Sequence, residues 1–384
     1  MRVLQLGKYY YPYMGGIENH LYLLCNELKR TVDLDVVVCN SRRSSSSGEV
    51  DGVRVTRCPE LVNVASTSIC PSMPFELSRR RYDLLHFHFP HPIGVMSYLF
   101  GLRTHRHSVI VTYHSDIVKQ ERLQRAYGPF MRRVLDRADA IVCTSPNYME
   151  GSDVLVPYRN KCRVIPYGID ESQFRRTPGI EEAAEAIRAR FDRKPLVLAV
   201  GRLVYYKGFE YLVRAMREVD AQLLLVGGGP LKEALEQTAR DCGVASRVHF
   251  VGEVHNQDLA PYYFASDVYA LPSIARSEAF AIVQLEAMAC GLPVVNTAIP
   301  RSGVPFVSRH GESGLTVPPK DAPALSRALA QILDDRKTAL RFGEEGRARV
   351  RREFSKEVMA ERMLALYEET TSMRAERRTL RAAE

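Results

Sequence analysis

The sequence has 384 residues with 46% hydrophobic and 26% charged side chains, which is typical of a soluble globular protein with more than one domain. No apolar run reaches the ~18 residues of a membrane-spanning helix, and eight scattered cysteines without a C-x-x-C pair argue against a zinc or redox motif. The net charge is +8, and residues 1–170 carry 22 Lys and Arg against 16 Asp and Glu, which indicates an anionic partner or a nearby lipid surface for this half.

In the first half, apolar stretches of strand length alternate with amphipathic stretches of helix length. This alternation predicts parallel sheets with crossover helices, and therefore an α/β fold. Strands are predicted at residues 2–6, 35–39, 52–58, 83–89, 108–114, 140–145 and 162–166. A helix is predicted from Gly16 to about Lys29. The first apolar stretch is too short for a secretory signal, so we expect a cytoplasmic protein.

A polar, irregular stretch at residues 171–182 marks the predicted domain boundary. A second series of strands is then predicted at residues 196–201, 222–228, 248–253, 268–273 and 293–298. This series predicts a second Rossmann-like sheet. The prediction is therefore two domains, residues 1–170 and 171–354. A C-terminal helix and basic tail, residues 355–384, are expected to pack back toward the first domain.

Two glutamates follow the strand predicted at 268–273. In open α/β folds ligands bind at the carboxyl ends of strands, so we expect both sheets to face one cleft. Glu278 is placed at the start of a helix and Glu286 two turns inside it. Eight residues separate them by about 80° around the axis and about 12 Å along it, too far for a joint acid and base. They could bracket one long ligand; alternatively, Glu278 is an ordinary first-turn acid and Glu286 a solvated side chain.

Cationic and small residues follow three other strands. Arg202 and Lys207 lie after the strand at 196–201 and could clamp a diphosphate beside a helix start, although solvated cations are the plain alternative. His114 ends an apolar strand, where an imidazole can bind a polar ligand or serve structure alone. The glycine turn at 227–229, with Gly228 at its centre, could allow a nucleobase or a phosphate to approach the backbone closely.

Several known motifs are absent from the sequence. There is no D-x-D pair at a strand end, no G-x-G-x-x-G turn, no Walker loop and no G-x-S-x-G elbow. We therefore expect a bound anion to be neutralised by protein cations, without a metal ion or a cofactor.

Taken in order, these motifs resemble those of one enzyme family. They are "GG" after the first strand, "YHSD" with His114, "GRLVYYKG", "GGGP", and "SEAFAIVQLEAMACGLPVV" with its E-x7-E spacing. Together they resemble the retaining GT-B glycosyltransferases of family 4. Longer stretches are similar to bacterial O-antigen and exopolysaccharide mannosyltransferases. The resemblance implies a GT-B fold, a nucleotide-sugar donor, an acceptor hydroxyl presented by the first domain, and no metal.

The resemblance also implies roles for individual residues. Arg202 and Lys207 match ligands of the donor diphosphate, Glu286 matches the ribose ligand, and Glu278 matches the hexose ligand. His114 matches a residue near the sugar and the reacting centre. The remaining donor positions are glycines and backbone N–H groups, at Gly15, Gly16, Gly228, Ala279, Phe280, Ala281 and Ile282. Two positions depart from the pattern: Tyr167 stands where many relatives have Asn, and Ala281 where Gly is usual.

For the donor, the resemblance favours GDP-mannose, with a UDP-sugar such as UDP-GlcNAc as the alternative. A nucleotide-sugar sensor without activity is the non-enzyme alternative. Nucleic-acid binding lacks a recognition motif.

For the acceptor, a polyprenyl-diphosphate-linked saccharide at the inner face of the cytoplasmic membrane is expected. Its proposed ligands are Tyr10, Tyr11, Tyr13, His114 and Lys119. A cationic face for anionic lipid would use Arg residues at 79–81, 103, 106, 122, 125, 132, 133 and 137. The helix that carries several of them, with Pro129 near its start, could instead be an ordinary amphipathic helix on the first sheet.

Overall fold

The computed structural model describes residues 1–13, 15–64, 67–101, 107–116 and 121–383. Lys119, Arg103 and Arg106, which the sequence analysis singled out, lie outside these residues, and the side chains of Arg122 and Arg125 are likewise not described. The chain forms two compact units: Met1–Gly168 with Lys356–Glu384, and Ile169–Ser355. We call them unit 1 and unit 2. The boundaries lie within two residues of those expected from the sequence.

Unit 1 contains one large sheet and a small hairpin. Its strands are β1 (Arg2–Leu6), β2 (Asp33–Cys39), β3 (Ser46–Val50), β4 (Val53–Cys58), β5 (Val62–Val64), β6 (Thr67–Ile69), β7 (Leu84–Phe89), β8 (Ser108–Tyr113), β9 (Ala140–Cys143) and β10 (Cys162–Val164). Its first helices are α1 (Gly16–Leu28), α2 (Met73–Ser78), α3 (Pro92–Leu99), α4 (Glu121–Arg137) and α5 (Pro146–Gly151). All seven strands predicted for this half are present. The polar edge strand β3 and the β5–β6 hairpin were not predicted.

The large sheet has the order β10-β9-β8-β7-β1-β2-β4-β3. Every pairing is parallel except that of β3 with β4. From β1 the chain adds strands toward one edge of the sheet, through β2 and β4, and from β7 it adds strands toward the other edge, through β8, β9 and β10. The order therefore reverses between β1 and β7, and the carboxyl ends of these two strands mark the place where such sheets bind ligands.

Unit 2 repeats this architecture. Its strands are β11 (Leu196–Val200), β12 (Gln222–Val226), β13 (Val248–Gly252), β14 (Val268–Leu271), β15 (Val294–Thr297) and β16 (Gly314–Val317). Its helices are α6 (Pro178–Ala189), α7 (Phe209–Ala215), α8 (Lys232–Asp241), α9 (Ala260–Ala265), α10 (Ile282–Ala289), α11 (Val304–Val307), α12 (Ala322–Asp334) and α13 (Arg336–Arg349). The sheet order β13-β12-β11-β14-β15-β16 reverses between β11 and β14. The two-sheet α/β prediction is confirmed, with β16 as the strand that was missed.

The last helix, α14 (Lys356–Ala383), belongs to unit 1. It packs on α1 through buried Met363 and Tyr367, as the sequence analysis expected. Ion pairs along its length include Lys356 with Glu27 at 3.1 Å, Arg163 with Glu369 at 3.5 Å and Arg374 with Asp139 at 3.0 Å. Unit 1 is thus completed by the C-terminal segment of the chain.

One prediction about α4 is wrong. Pro129 lies inside this helix and not near its start. The apolar stripe of the helix faces inward, with Met131, Val134 and Leu135 at most 4% exposed, so the plain interpretation of an amphipathic helix packed on its own unit holds for this stripe. Among the described helices, none is both long and apolar enough to cross a membrane.

Candidate active site

A buried ion pair lies where the order of the unit 2 sheet reverses. Lys207 Nζ is 2.6 Å from Glu278 Oε2, and each side chain is about 10% exposed. The Ser273 hydroxyl, just after β14, donates to the same carboxylate oxygen at 3.1 Å. Because water is largely excluded, the two charges stabilise each other far more than an exposed pair would.

Two glycines allow Lys207 to reach this position. Gly208 has a φ of 64°, and an added Cβ would lie 2.2 Å from the Pro272 carbonyl oxygen. Gly201, at the end of β11, lies under the lysine side chain, since an added Cβ would be 3.1 Å from Lys207 Cε. The turn after β11 therefore folds directly against the turn after β14, which brings the ammonium to the carboxylate.

Glu278 is not at the start of a helix, contrary to the prediction. It lies in the loop between β14 and α10, and the helix begins at Ile282. The loop is fixed through its backbone: the Ser302 hydroxyl donates to the Glu278 carbonyl, and the Gly303 N–H donates to the Ala279 carbonyl at 2.7 Å. The segment 279–282, whose backbone N–H groups are predicted to bind the donor, therefore lies in this loop and at the first residue of α10.

Ala281 caps α10 in the left-handed region, with φ 65° and ψ 73°. A residue with a Cβ pays about 1–2 kcal/mol in this region, and glycine, which is usual at this position in the family that the sequence resembles, avoids that cost. Ala281 is 7% exposed. The backbone at Ala281 is thus strained, and its methyl group lies beside the predicted sugar site.

Glu286 lies in the second turn of α10 and is partly buried. Its Oε2 accepts a 2.7 Å hydrogen bond from the Tyr263 hydroxyl. Burial raises the pKa of this carboxyl, while the Tyr263 hydrogen bond and the charge of Lys207 act in the opposite direction. The alternative of a freely solvated side chain is therefore wrong.

The two predicted ligands of the diphosphate, Arg202 and Lys207, have different surroundings. Arg202 is exposed just after β11, whereas Lys207 is paired with Glu278.

The glycine turn at 227–229 packs closely against the turn after β11. A Cβ added at Gly227 would lie 2.2 Å from the Gly201 carbonyl oxygen, and a Cβ added at Gly229 would lie 2.7 Å from the Leu203 nitrogen. Gly228 lies between them, against the Glu253 side chain.

Unit 1 places His114 in a hydrogen-bonded set of neutral polar groups, which we call the histidine chain. The set joins Tyr167, His114, His88, Gln5, Tyr367, His86 and Thr112. Burial lowers the pKa of His86 to about 3 and holds those of His88 and His114 well below the ordinary value. All three imidazoles are therefore neutral at physiological pH.

His20 of α1 lies beside the histidine chain. Its ring is 5.3 Å from that of His114, centroid to centroid, and burial lowers its pKa to about 3. Neither of its ring nitrogens has a hydrogen-bond partner among the described residues.

His20, His88 and His114 each offer a ring nitrogen within 4.8 Å of the others, which raises the question of a metal ion. The residues fit such an ion poorly. His88 Nδ1 and His114 Nε2 already share one hydrogen bond at 3.0 Å, which an ion would have to break. No carboxylate among the described residues joins the group to offset the ion's charge.

The tyrosines after β1 divide into core and surface. Tyr10 is 2% exposed and packs in the core of unit 1, so its assignment to the acceptor is wrong because it offers no surface. Tyr11 and Tyr13 are 41% and 50% exposed and remain predicted acceptor ligands. They stack on Tyr22 and Tyr9 respectively.

At the start of α1, Gly16 is exposed. Gly15 is covered by a carboxylate, since an added Cβ would lie 2.3 Å from Glu18 Oε2. Burial raises the pKa of Glu18. A donor phosphate at Gly15 would therefore have to displace Glu18.

Sequence reasoning missed the polar partners of His114. The signal was present in "LLHFHF", because alternation along a strand puts His86 and His88 on one face. A parallel strand with helices on both sides is normally apolar on both faces, so two histidines on one buried face required partners. Gln5, aligned with His86 in the pairing of β1 and β7, is one of them.

Comparison with known proteins matches both halves of the chain. The family described as "Glycosyltransferase Family 4" matches residues 14–173, and "Glycosyl transferases group 1" matches residues 181–349. O-antigen chain mannosyltransferase C of Escherichia coli is 32% identical over 96% of this chain and 98% of that protein. D-rhamnosyltransferase WbpZ of Pseudomonas aeruginosa is 34% identical over 92% of each. The structure of sucrose-phosphate synthase from Thermosynechococcus elongatus matches with a TM-score of 0.76 and 26% identity over the full length of both chains.

The raised pKa of Glu286 makes a prediction about stability. The folded protein holds this proton more tightly than the unfolded chain, so the carboxyl makes stability fall as pH rises above the ordinary carboxyl range. Glu286→Gln keeps an acceptor for Tyr263 and removes this effect. We expect the variant to be more stable than wild type at about pH 7 and to lose that advantage near about pH 4. Thermal unfolding across this range measures it.

The matched control is Glu344→Gln, at an exposed position on α13, which should leave the pH dependence unchanged. A Glu286→Gln protein that is less stable than wild type at neutral pH would contradict the conclusion that the pKa of Glu286 is raised in the folded protein.

Proposed function

The chain belongs to the GT-B glycosyltransferases of family 4, and on this premise we propose that it transfers mannose from GDP-mannose, with retention of configuration. The acceptor is a hydroxyl of a lipid-linked saccharide in the synthesis of a bacterial surface polysaccharide. The E. coli relative is named as an O-antigen mannosyltransferase and the P. aeruginosa relative as a D-rhamnosyltransferase. Because D-rhamnose is 6-deoxymannose, both names support a donor sugar of the manno configuration.

The Lys207–Glu278 pair is the observation that carries this proposal. Lys207 and Arg202 lie in the turn between β11 and α7 and would neutralise the donor diphosphate. Glu278 would hold hydroxyl groups of the hexose, and Glu286 those of the ribose. Glu278 holds the buried Lys207 ammonium in place. A bound diphosphate would be a second anionic partner for Lys207.

The proposed mechanism is attack from the face that the diphosphate leaves. The described site offers no protein nucleophile at the matching positions, so the departing diphosphate oxygen accepts the proton of the acceptor hydroxyl. The protein stabilises the negative charge that grows on this leaving group, through Lys207, Arg202 and the N–H groups at the start of α10. His114 is neutral and adds no charge, and it would orient a sugar hydroxyl that takes the place of the Tyr167 hydroxyl at its Nδ1.

We propose that transfer needs no metal ion, since protein cations stand where the diphosphate would bind. The alternatives are a UDP-sugar donor, such as UDP-GlcNAc or another UDP-hexose, and a nucleotide-sugar sensor without activity. The proposed location is cytoplasmic, at the inner face of the membrane. Exposed Phe75 and Phe100 and exposed Arg132 and Arg133 support it; Arg79 and Arg80 contribute less because both pair with Glu76.

Loss of Lys207 tests the clamp. We expect Lys207→Ala to lower turnover by roughly a hundredfold or more, the effect of removing one donor that stabilises a developing anion. Released nucleotide measures turnover, and circular dichroism checks the fold. Lys232→Ala, which removes an exposed lysine on α8, is the control and should retain wild-type turnover. Near-normal turnover in the folded Lys207→Ala protein would remove the clamp assignment.

The identity of the donor is tested by binding and by transfer. We expect calorimetric titration to show tighter binding of GDP than of UDP, and a panel of nucleotide sugars with a lipid-linked acceptor to give a mass increase of one hexose from GDP-mannose. Chelation by EDTA should leave the rate unchanged. Tighter UDP binding would favour the UDP-sugar alternative, and nucleotide binding without any transfer or hydrolysis would favour the sensor.

Peripheral membrane binding is tested by flotation with liposomes. We expect the protein to float with vesicles that contain anionic lipid at low salt and to be released as salt rises, because screening weakens the attraction of exposed arginines. Vesicles of neutral lipid are the control. A protein that stays at the bottom of the gradient with anionic vesicles at low salt would contradict this part of the proposal.

A further inference from the structure

The Tyr367 hydroxyl of α14 lies between two sheet residues of unit 1. Gln5 Nε2 on β1 donates to it at 2.9 Å, and it is 2.6 Å from His86 Nδ1 on β7. Tyr367, Gln5 and His86 are each 0% exposed. A side chain of the C-terminal helix is therefore a buried partner of the two strands between which the sheet order reverses.

From Gln5 the hydrogen bonds continue to His114. Gln5 Oε1 is 2.9 Å from His88 Nε2, and His88 Nδ1 is 3.0 Å from His114 Nε2. His114 Nδ1 then meets the hydroxyl of Tyr167 at 2.5 Å. A continuous path of three hydrogen bonds connects Tyr367 to the residue that the proposed function places beside the donor sugar.

We propose that Tyr367 is a positioning residue that sets which nitrogen of His114 carries the proton, acting through Gln5 and His88. The inference rests on the proposed function for its consequence, because there His114 orients the sugar. It adds to that function a control exerted from the C-terminal helix.

The direction of the path follows from the orientation of the Gln5 amide, whose Nε2 donates to the Tyr367 hydroxyl, together with donor and acceptor counting. A neutral imidazole has one N–H and one lone pair, so each ring in the path must receive on one nitrogen and donate on the other. With its Nε2 donating to Tyr367, Gln5 offers an oxygen to His88, which must then carry its proton on Nε2. His88 Nδ1 is left as an acceptor, so His114 donates from Nε2.

The last step fixes the state of His114. Its Nδ1 is left as an acceptor for the Tyr167 hydroxyl. The low pKa values of the histidines exclude the doubly protonated ring that would break the sequence of donors and acceptors.

Because the path from Tyr367 to His114 is buried, each of its hydrogen bonds depends on its protein partner. Gln5, His88 and His114 are at most 2% exposed, so water cannot readily replace a lost partner. Without the Tyr367 hydroxyl, Gln5 Nε2 and His86 Nδ1 lose their partner. The amide of Gln5 can then turn over, which would reverse every donor and acceptor as far as His114.

The experiment is Tyr367→Phe in the full chain labelled with ¹⁵N-histidine. Two-bond ¹H–¹⁵N spectra show which ring nitrogen is protonated, and His88→Gln and His114→Gln assign the signals. We expect wild type to show His88 and His114 protonated on Nε2, and Tyr367→Phe to change both patterns. Turnover should fall about tenfold with the donor KM within about twofold, because a misplaced proton affects the reacting sugar more than diphosphate binding.

Tyr158→Phe is the matched control. It also removes one hydroxyl from a buried tyrosine of unit 1, which donates to Asp136 at 2.9 Å outside the histidine chain. It should keep the wild-type histidine spectrum and turnover. If Tyr367→Phe does not fold, Gln5→Met breaks the same path at similar side-chain volume and should give the same change at His114.

Unchanged His88 and His114 signals in folded Tyr367→Phe or Gln5→Met would overturn the inference. Changed signals with wild-type turnover would also overturn it, since the position of the proton would then have no effect on transfer. Wild-type protein that transfers no sugar would overturn the proposed function alone, because the spectra still report whether Tyr367 sets the proton of His114.

Discussion

The pairing of Lys207 with Glu278 in a nearly dry environment is the interaction around which unit 2 is arranged. Either charge left alone there would be costly, because truncating one partner of a buried pair typically destabilises a protein by about 3–5 kcal/mol. The geometry that joins them requires the backbone after β11 to touch the backbone after β14, and this contact leaves no space for a side chain at Gly208. The conformation of two loops and the charge of the site are therefore set together.

The two units share a sheet order and use different polar chemistry at equivalent places. Unit 2 holds opposite charges at its sheet reversal, which suits a ligand with a charged diphosphate. Unit 1 holds neutral imidazoles, an amide and hydroxyl groups, which suit the uncharged hydroxyl groups of sugars. Burial explains this difference in unit 1, since desolvation lowers the pKa values of His86, His88 and His114 and the network is complete without a proton from solvent.

Much of the architecture follows from the sequence, because buried parallel strands are short apolar runs and their alternation with helices is visible in a single chain. The elements that were missed lack this signal: β3 is polar and exposed, β5 and β6 have three residues each, and β16, with the sequence GLTV, has only two apolar side chains. Glu278 was placed on a helix because the apolar pattern after it is helical, while the left-handed residue Ala281 that delays the helix is not visible in a hydrophobic pattern. The glycine turn and Tyr10 were given ligand roles because sequence does not distinguish a close backbone contact from a close ligand contact.

The return of α14 to unit 1 has a consequence for the order in which the molecule forms. Unit 2 is one continuous segment, and all of it leaves the ribosome before α14 does. Unit 1 is made first but waits for residues from 356 onward, so Gln5 and His86 remain without Tyr367 while nearly all of the chain is synthesised. During that interval the core surface that α14 covers is open to other chains and to chaperones. The half of the molecule that is translated first is therefore the half that finishes folding last.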